Sequence, residues 1–438
     1  MNSGVAGHRP PTLRAPRLDD ILGRRAPDLS LRRMSRVYDD AVPPLEPRNA
    51  ARTALRDHLS AVGPGDSVAI GVGSRGINQI SEVVAGMIEA LQERGAKPFI
   101  VPAMGSHGGA SAEGQAETLA GLGVSEDRLG VPIRATMATV SLGICDDVDV
   151  AVDANAAQAD HLIVVNRLKS HTSFSGAVES GLAKMLAIGL GKQHGAEELH
   201  RLGPAQLERR FRAAARHVCQ RMPVLGGVAL VEGPTKALAA VEFVEPDGIG
   251  GAREAKLLTL AKGYEARLPV DQIDVLVVDV MGKEFSGTGM DTNVLGRRMV
   301  RSMPELPIPR VTHVVCCEVS SGSHGNAVGL GLADFVSERT LAGYDPAVTY
   351  ANTLTAGSQA VQRAKIPIVM ANDVEAVSAA MLTCDVPDLS RIRLMRIKNT
   401  LHLDDIMVSE SLLEEASETY RVTGTDPLFG ASVRLARW

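Results

Sequence analysis

Residues 67–101 decide the fold class, and they read SVAIGVGSRGINQISEVVAGMIEALQERGAKPFIV. The runs SVAIGV at 67–72 and KPFIV at 97–101 are short and apolar, which is typical of buried strands. Between them, residues 77–95 carry apolar side chains at helical spacing. Strand, helix and strand in this order form one βαβ unit. Strands that are apolar throughout predict a parallel sheet covered by helices on both faces.

The same alternation recurs further along the chain. HLIVVN at 161–166 is a continuous apolar strand, and an apolar helix follows at 180–191. A new series opens with IDVLVVDVMG at 273–282 and continues with VTHVVCCEVS at 311–320. The sequence therefore predicts an α/β protein with two mainly parallel sheets, each flanked by helices.

The chain length favours two domains. Single hydrophobic cores rarely grow beyond roughly 250–300 residues, and this chain has 438. We predict an N-terminal arm over residues 1–50, a first α/β domain over 51–268 that carries the site, and a second α/β domain over 269–438 that closes it. The beginning of the arm is rich in Arg and Pro and lacks apolar periodicity, which predicts an extended segment, mobile or docked.

Composition narrows the class of partner. The net charge is −5 at pH 7, with 22% charged residues, which provides no basic surface for nucleic acid or an anionic membrane. The longest apolar stretch falls far short of the roughly 18–20 residues of a bilayer span. Five Cys without a CxxC pair predict reduced thiols in a cytoplasm. We expect a cytoplasmic protein that binds small molecules, and the sequence leaves open whether it forms a homo-oligomer.

Polar and cationic side chains follow four predicted strands. They are Ser74 and Arg75, Ser106 and His107, Arg167, Lys169 and His171, and Lys283. Any one of them alone is typical of a solvated loop. Ligands of open parallel sheets bind beyond the carboxyl ends of the strands, so we expect these side chains to converge on one site in the cleft between the domains.

Lysines and histidines also cluster in sequence. Only 10 of the residues are Lys, against 36 Arg, yet Lys169, Lys184 and Lys192 fall within 24 residues. His194 and His200 lie in the same region, six residues apart, which is about 240° around a helix. At most one of these two imidazoles can therefore ligate a given metal ion.

The loop GVGSRG at 71–76 matches GxGxxG between a strand and a helix, the context of dinucleotide binding. The acidic residue that would hold a ribose hydroxyl is missing, because the next strand ends in Pro102, Ala103 and Met104. The glycines and the helix N-terminus could still hold a phosphate or a carboxylate. An NAD-type dehydrogenase is thus one alternative, and a non-enzymatic metal- or anion-binding protein is another.

Other patterns argue against familiar catalytic classes. GxSxG, HExxH and GxxxxGK[ST] are all absent, which removes the main support for a serine hydrolase, a zincin or a P-loop protein. Cys316 and Cys317 are adjacent within an apolar strand and so point to opposite faces. We interpret both as buried small hydrophobic residues rather than reactive thiols.

The segment NRLKSHTSFSGAVESGLAKMLAIGLGKQHGAEELH at 166–200, with PAMGSHGG at 102–109 and GVGSRGI at 71–77, resembles the nickel-dependent lactate racemase family. The resemblance runs through most of residues 60–300 and, more loosely, the remainder. It implies a two-domain α/β protein that holds a nickel-pincer nucleotide, pyridinium-3,5-bisthiocarboxylic acid mononucleotide nickel. It also implies racemisation or epimerisation of 2-hydroxy acids or related hydroxy compounds, and cofactor-biosynthesis enzymes as partners.

The resemblance implies roles for residues that bind the cofactor. Lys184 looks like the lysine that attaches covalently to a cofactor thioacyl arm, and His200 looks like the nickel ligand. Ser74, in the glycine loop, joins this predicted cofactor-binding set. The resemblance is that of a divergent subgroup, because Val72 and Gly108 replace residues that the family prototype has as Asp and Arg.

Roles in the reaction follow in the same way. His107 and His171 look like the two acid/base residues, and Arg75 and Lys283 look like substrate-binding residues. Taking a proton from carbon would add charge to an anionic substrate, whereas taking a hydride leaves a flat keto acid. Inversion then needs one acid/base group on each face, each contributing roughly 10²–10⁴ in rate. Arg75 could fix the substrate carboxylate through two hydrogen bonds.

Overall fold

Two β-sheets, one in each domain, form the centre of the structure. The computed structural model describes residues 15–38, 45–74, 76–201, 203–430 and 434–436. The strands in these residues are β1 (Ser30–Arg36), β2 (Ser67–Val72), β3 (Lys97–Pro102), β4 (Thr139–Cys145), β5 (Val148–Asp153), β6 (His161–Arg167), β7 (Val224–Glu232), β8 (Leu238–Val244), β9 (Gln272–Val278), β10 (Arg310–Cys316), β11 (Phe335–Ser337), β12 (Ile368–Met370), β13 (Leu394–Ile397), β14 (Asp405–Val408) and β15 (Tyr420–Pro427).

Helices cover both sheets. The α-helices of the described residues are α1 (Leu18–Leu22), α2 (Pro47–Arg56), α3 (Ile80–Glu93), α4 (Ala112–Gly121), α5 (Glu126–Leu129), α6 (Leu182–Lys184), α7 (Lys192–His200), α8 (Leu207–Arg221), α9 (Ala252–Tyr264), α10 (Thr292–Leu295), α11 (Glu338–Leu341), α12 (Pro346–Ala356), α13 (Ser358–Val361), α14 (Asp373–Leu382) and α15 (Leu413–Ala416). In this part of the chain, none of the helices has the length and apolar character needed to cross a bilayer.

The first sheet has the strand order β3-β2-β6-β7-β8. Its first four strands are parallel, and β8 pairs antiparallel with β7. Val68 and Ile70 pack into the core on one face, while Ala69 packs into the core on the other. Because both faces are covered, β2 is apolar throughout, and the strands predicted at 67–72, 97–101 and 161–166 are confirmed.

The second sheet has eight strands in the order β12-β11-β10-β9-β13-β14-β1-β15. The strands from β12 to β13 are parallel, and β14, β1 and β15 extend the sheet antiparallel. Cys316 and Cys317 are buried in the cores on opposite sides of this sheet, as predicted. Burial raises the pKa of the Cys316 thiol to about 12, which suits a packing role. The two-domain α/β architecture is thus confirmed.

The N-terminal region contributes a strand to the interior of the second sheet. The sequence predicts an extended arm here, whereas β1 lies between β14 and β15. Leu31 and Met34 are fully buried in the cores on the two faces of the sheet, and a bulge separates Arg33 from Met34. The partner strands lie more than 350 residues away in sequence, so no local pattern indicates the pairing. Residues 1–14 lie outside the described residues.

The apolar segment predicted as one helix over 180–191 is divided. It begins as α6, continues as a π-helical turn over Met185–Gly189, and is followed by α7. The amide of Leu190 donates to the carbonyl of Met185 across this turn, at 2.9 Å. Gly189 lies so close to β3 that a Cβ atom there would be 2.6 Å from the carbonyl oxygen of Ala103. The π-turn places the residues after it against the end of β3, where the candidate site lies.

Candidate active site

A cavity opens where the carboxyl ends of β2, β3 and β6 meet. Its polar lining consists of Ser74, Ser106, His107, Asn166, Arg167, Lys169, Ser180, Lys184 and His200. Met104, Met185 and Ile188 are among the apolar residues that line it. Seven of the residues that the sequence analysis placed at the site therefore share one cavity: Ser74, Ser106, His107, Arg167, Lys169, Lys184 and His200. This is the edge of the sheet at which parallel α/β proteins bind ligands.

The second domain forms the facing wall. An adjoining cleft is lined by His107 and His200 from the first domain and by residues of the second domain that include Lys283, Asn326, Asn352 and Gln359. The ammonium of Lys283 donates to the carbonyl oxygen of Val328 at 2.5 Å and to that of Gly287 at 3.2 Å. Lys283 thus lies in the same interdomain cleft as two of the predicted histidines. Arg75, also predicted for this site, lies outside the described residues.

His107 is exposed and is held by a hydroxyl. Its Nδ1 atom lies 2.5 Å from the Oγ atom of Ser74. When Nδ1 carries the ring proton, it donates to Ser74 and leaves a lone pair on Nε2, which is the form that a general base needs. Ser74 was predicted to bind a cofactor, and its contact in the structure is with His107.

His171 lies in a different environment, and it is not among the residues that line the cavity. It is 8% exposed, and its ring stacks on Phe174 with 4.3 Å between centroids. The backbone N–H of Ser173 donates to its Nδ1 atom at 3.1 Å, so the neutral ring carries its proton on Nε2. Burial, followed by the positive charge of Lys184, holds the pKa of His171 well below its usual value.

A buried carboxylate shapes the loop after His171. Glu179 accepts hydrogen bonds from the backbone N–H groups of His171 at 2.6 Å and Gly176 at 3.0 Å. Its Oε1 atom lies 2.5 Å from the ammonium of Lys262 on α9. The side chain of Glu179 is only 1% exposed, so this ion pair provides the charge that the buried carboxylate needs.

Two side chains of the second domain form hydrogen bonds with the loop that follows His171. The hydroxyl of Thr292 and the guanidinium of Arg363 both donate to the carbonyl oxygen of Thr172, each at 2.8 Å. Arg363 also donates to the Oγ atom of Ser173 at 3.2 Å and to the carbonyl oxygen of Arg298 at 2.7 Å. The position of the His171 loop therefore depends on contacts between the domains. The sequence analysis did not identify Arg363, since a single Arg in a helical region carries no signal of burial.

His200 is the last residue of α7 and lines the cavity. Burial, with the nearby charge of Lys184, lowers its pKa to about 4. The ring is therefore neutral at neutral pH and keeps a nitrogen lone pair. The amide nitrogen of Gln359, from the second domain, lies 3.1 Å from its Nδ1 atom. Gln359 is another site residue that the sequence analysis missed, because only the approach of the domains brings it near.

His194 lies apart from this cavity. Its Nε2 atom is 3.0 Å from the carboxylate of Asp149 on β5, and its side chain is 46% exposed. The opposite placement of His194 and His200 on one helix agrees with their spacing of six residues. Among the residues that the structure describes, no group of three or more His, Cys, Asp or Glu side chains is placed to hold a metal ion.

The glycine loop does not form a dinucleotide-binding turn of the usual kind. Helix α3 begins at Ile80, four positions after Gly76, and Gln79 before it has a φ of 55°. Gly73 serves close packing, since a Cβ atom there would lie 3.2 Å from the Cε atom of Met185. This geometry does not favour the NAD-type alternative, in which the helix N-terminus meets the pyrophosphate directly.

Comparison with known proteins gives the fold. No protein-family model matches the chain, and no curated protein matches it. Among solved structures, the lactate racemase apoprotein from Thermoanaerobacterium thermosaccharolyticum is similar, with a TM-score of 0.53 and 9% identity over 85% of this chain and 98% of that one. A protein from Thermotoga maritima matches with a TM-score of 0.45 and 12% identity over 63% of this chain and 72% of that one. The chain therefore has an α/β fold similar to that of the lactate racemase apoprotein.

Proposed function

We propose that the protein is a racemase or epimerase that inverts a hydroxyl-bearing carbon of a 2-hydroxy acid or a related hydroxy compound. The observation that carries the proposal is the shared cavity of His107, Lys184 and His200, which adjoins Lys283 of the second domain. In this proposal the cavity supplies one acid/base imidazole, one metal-binding imidazole and one amine, and Lys283 supplies a second amine. The fold is compatible with the same activity.

The residues present fit a nickel-pincer nucleotide. The neutral imidazole of His200 offers the lone pair that nickel needs, and the amine of Lys184 lies on the same cavity. Lys169 adds positive charge for a phosphate, and Met185 and Ile188 add an apolar surface for a planar ring. In this proposal His200 ligates the nickel and Lys184 attaches to the cofactor. When bound, the group supplies an electrophilic acceptor for hydride.

His107 takes the substrate hydroxyl proton in this proposal. Its Nδ1 atom is occupied by Ser74, so Nε2 is the nitrogen that acts. Ser74 remains a proposed cofactor contact as well, since its side chain lines the same cavity. Removing the hydroxyl proton while hydride leaves carbon gives a keto acid without adding charge to the substrate.

His171 serves the opposite face in this proposal. Burial, followed by the cations near it, lowers the pKa of His171 and keeps the ring neutral. A substrate carboxylate bound among those cations would offset their charge and raise the pKa of His171, so that the ring could carry a proton only when substrate is present. Lys283, together with Arg75, would bind the substrate carboxylate, and Asn326 and Asn352, which line the adjoining cleft, would contact the rest of the substrate.

Loss of optical activity tests the proposal. The protein would be co-expressed with cofactor-biosynthesis enzymes and incubated with single enantiomers of a panel of 2-hydroxy acids, followed by chiral chromatography. We expect one class to racemise, and His107→Gln to lower the rate by about 10²–10⁴. His194→Gln, on the exposed side of α7, is the matched control and should keep the wild-type rate.

Two outcomes contradict the proposal. Stoichiometric nickel with every hydroxy compound left optically pure would identify a metal-binding protein without this activity. Tight binding of NAD by the purified apoprotein, with NAD reduction by a hydroxy acid, would identify a dehydrogenase instead.

A further inference from the structure

Lys192 is a buried lysine that the proposed reaction does not use. It is the first residue of α7, its side chain is 0% exposed, and its φ of 53° lies in the left-handed region that disfavours residues other than glycine. A buried ammonium and a strained backbone both cost stability. Such a residue persists only where the contacts of its side chain compensate, so those contacts indicate its role.

The ammonium of Lys192 joins three separate elements. It donates to the carbonyl oxygen of Pro102 at the end of β3, at 2.5 Å, and to the Oε1 atom of Gln115 on α4, at 3.0 Å. It also lies 2.9 Å from the carboxylate of Asp153 at the end of β5, and neither side chain of this ion pair is exposed. Its charge is thus compensated inside the core.

Gln115 links Lys192 to the loop that carries His107. It is also fully buried, and its Nε2 atom donates to the carbonyl oxygen of Gly105 at 2.8 Å and to that of His107 at 3.3 Å. Because Lys192 engages the Oε1 atom, the amide is oriented with its NH₂ group toward the loop. The backbone that carries His107 is therefore tied to Lys192 through one side chain.

The same lysine begins the helix that ends at His200. Helix α7 spans the nine residues from Lys192 to His200. Because the helix is regular, the place of Lys192 at its first residue sets the place of His200 at its last. We infer that Lys192, acting through Gln115, is a positioning residue that fixes the His107 loop relative to the helix carrying His200. Its consequence for catalysis rests on the proposed function, whereas the positioning itself does not.

A purely stabilising role is the competing explanation. Buried ion pairs contribute little stability beyond what apolar residues of the same shape provide, so stability alone does not require a lysine here. A positioning role requires the donor groups of Gln115 to reach two loop carbonyls. The two explanations therefore differ in what happens when only those donors are removed.

Gln115→Glu removes the donors to the loop and places a negative charge beside the ammonium of Lys192. The ionised carboxylate, paired with Lys192, has the same shape and still accepts from that ammonium, but its second oxygen cannot donate to the carbonyls of Gly105 and His107. We expect amide hydrogen exchange over residues 103–111 to rise at least about tenfold, with α3 unchanged. We also expect kcat to fall about 10–100-fold with KM within about twofold, since small displacements of a reacting group have effects of this size. Gln92→Glu, an exposed glutamine of α3, is the matched control.

A second variant guards against misfolding. Lys192→Met combined with Asp153→Asn removes the ammonium without leaving a buried carboxylate charge unpaired, and it should reproduce both the faster loop exchange and the lower kcat. Unchanged exchange and unchanged kcat in both variants would overturn the inference. Exchange that rises equally throughout the chain would overturn it too, because the role would then be stability alone. Should the wild-type protein racemise nothing, the proposed function fails, and loop exchange still decides the positioning.

Discussion

His107 and His171 both leave Nε2 for chemistry, but they differ in the group that contacts Nδ1. Ser74 occupies Nδ1 of His107, whereas the backbone N–H of Ser173 occupies Nδ1 of His171. His107 is exposed to the cleft, and His171 is buried beside cations. The sequence presents both only as polar residues after strands, and the distinction arises from tertiary contacts that a sequence does not display.

The burial of His171 predicts a pH dependence of stability. The unfolded ring titrates near pH 6.5 and the folded ring well below it, so the unfolded state binds more protons between these values. The free energy of unfolding is therefore not reduced by His171 above pH 6.5. As the pH falls below 6.5, protonation of the unfolded ring lowers the free energy of unfolding by at most about 1.4 kcal/mol per pH unit. The free energy of unfolding, measured in urea at pH values from 7.5 to 4.5, should fall less steeply with decreasing pH in His171→Asn than in the wild type. The amide oxygen of the new Asn can still accept from the backbone N–H of Ser173. Identical slopes would contradict the prediction.

Nickel retention tests the role of His200. Under the proposed function, His200→Gln loses a neutral imidazole ligand and should retain much less nickel than the wild type after co-expression with cofactor-biosynthesis enzymes. Metal analysis of the purified protein measures this directly, without any assay of activity. His194→Gln is the control on the same helix, because His194 pairs with Asp149 away from the cavity. Equal nickel in both variants would place the ligand elsewhere.

At the scale of elements, the sequence predicted the parallel strands β2, β3, β6, β9 and β10, but it missed the short parallel strand β11 and most antiparallel strands. Apolar runs such as those of β2, β6 and β9 are visible because both of their faces are buried. β15 has five exposed residues among its eight, and the hairpin of β4 and β5 has one largely exposed strand. These strands are specified by their partners, so their sequences do not reveal them.

The crossing of α2 and α3 supplies a test at this scale. A Cβ atom at Gly86 would lie 2.0 Å from the carbonyl oxygen of Arg48, so the two helices approach this closely only because residue 86 lacks a side chain. We expect Gly86→Ala to destabilise the protein by about 1–3 kcal/mol in denaturant unfolding, despite the higher helix propensity of Ala.

Gly121 is the matched glycine for that test. It is the last residue of α4, and a Cβ atom there would meet nothing within 4 Å. Gly121→Ala should therefore leave stability unchanged or raise it by up to about 1 kcal/mol. If Gly86→Ala behaved like Gly121→Ala, the close helix crossing would not be essential.

At the scale of the whole molecule, Lys283 is the one residue of the second domain that the sequence predicted for the candidate site, and the other predicted residues belong to the first domain. Lys184 and His200 stand in one continuous motif, and His107 follows a recognisable strand. Gln359 and Arg363 come from the second domain, and nothing in their local sequence shows that they meet α7 and the His171 loop. Sequence patterns report what an element buries, whereas the way two domains face each other depends on the complete fold.

Arg363 tests whether this domain contact matters for the site. It is 2% exposed, and burial lowers the pKa of its guanidinium to about 10, which still leaves it charged at neutral pH. Arg363→Met keeps much of the side-chain volume but removes the donors to Thr172, Ser173 and Arg298. We expect a loss of about 1–3 kcal/mol in denaturant unfolding, because buried carbonyls lose their partners.

The local effect of Arg363→Met shows whether Arg363 holds the His171 loop in place or only adds to the stability of the whole protein. Thr292 continues to hold the carbonyl of Thr172 in the variant, so the His171 loop should loosen without detaching. Amide exchange over residues 171–176 should therefore rise more than exchange in β2, and Arg94→Met, at an exposed arginine, should change neither. Equal exchange in the loop of the variant and of the wild type would mean that the first domain alone, through Glu179, holds His171 in place.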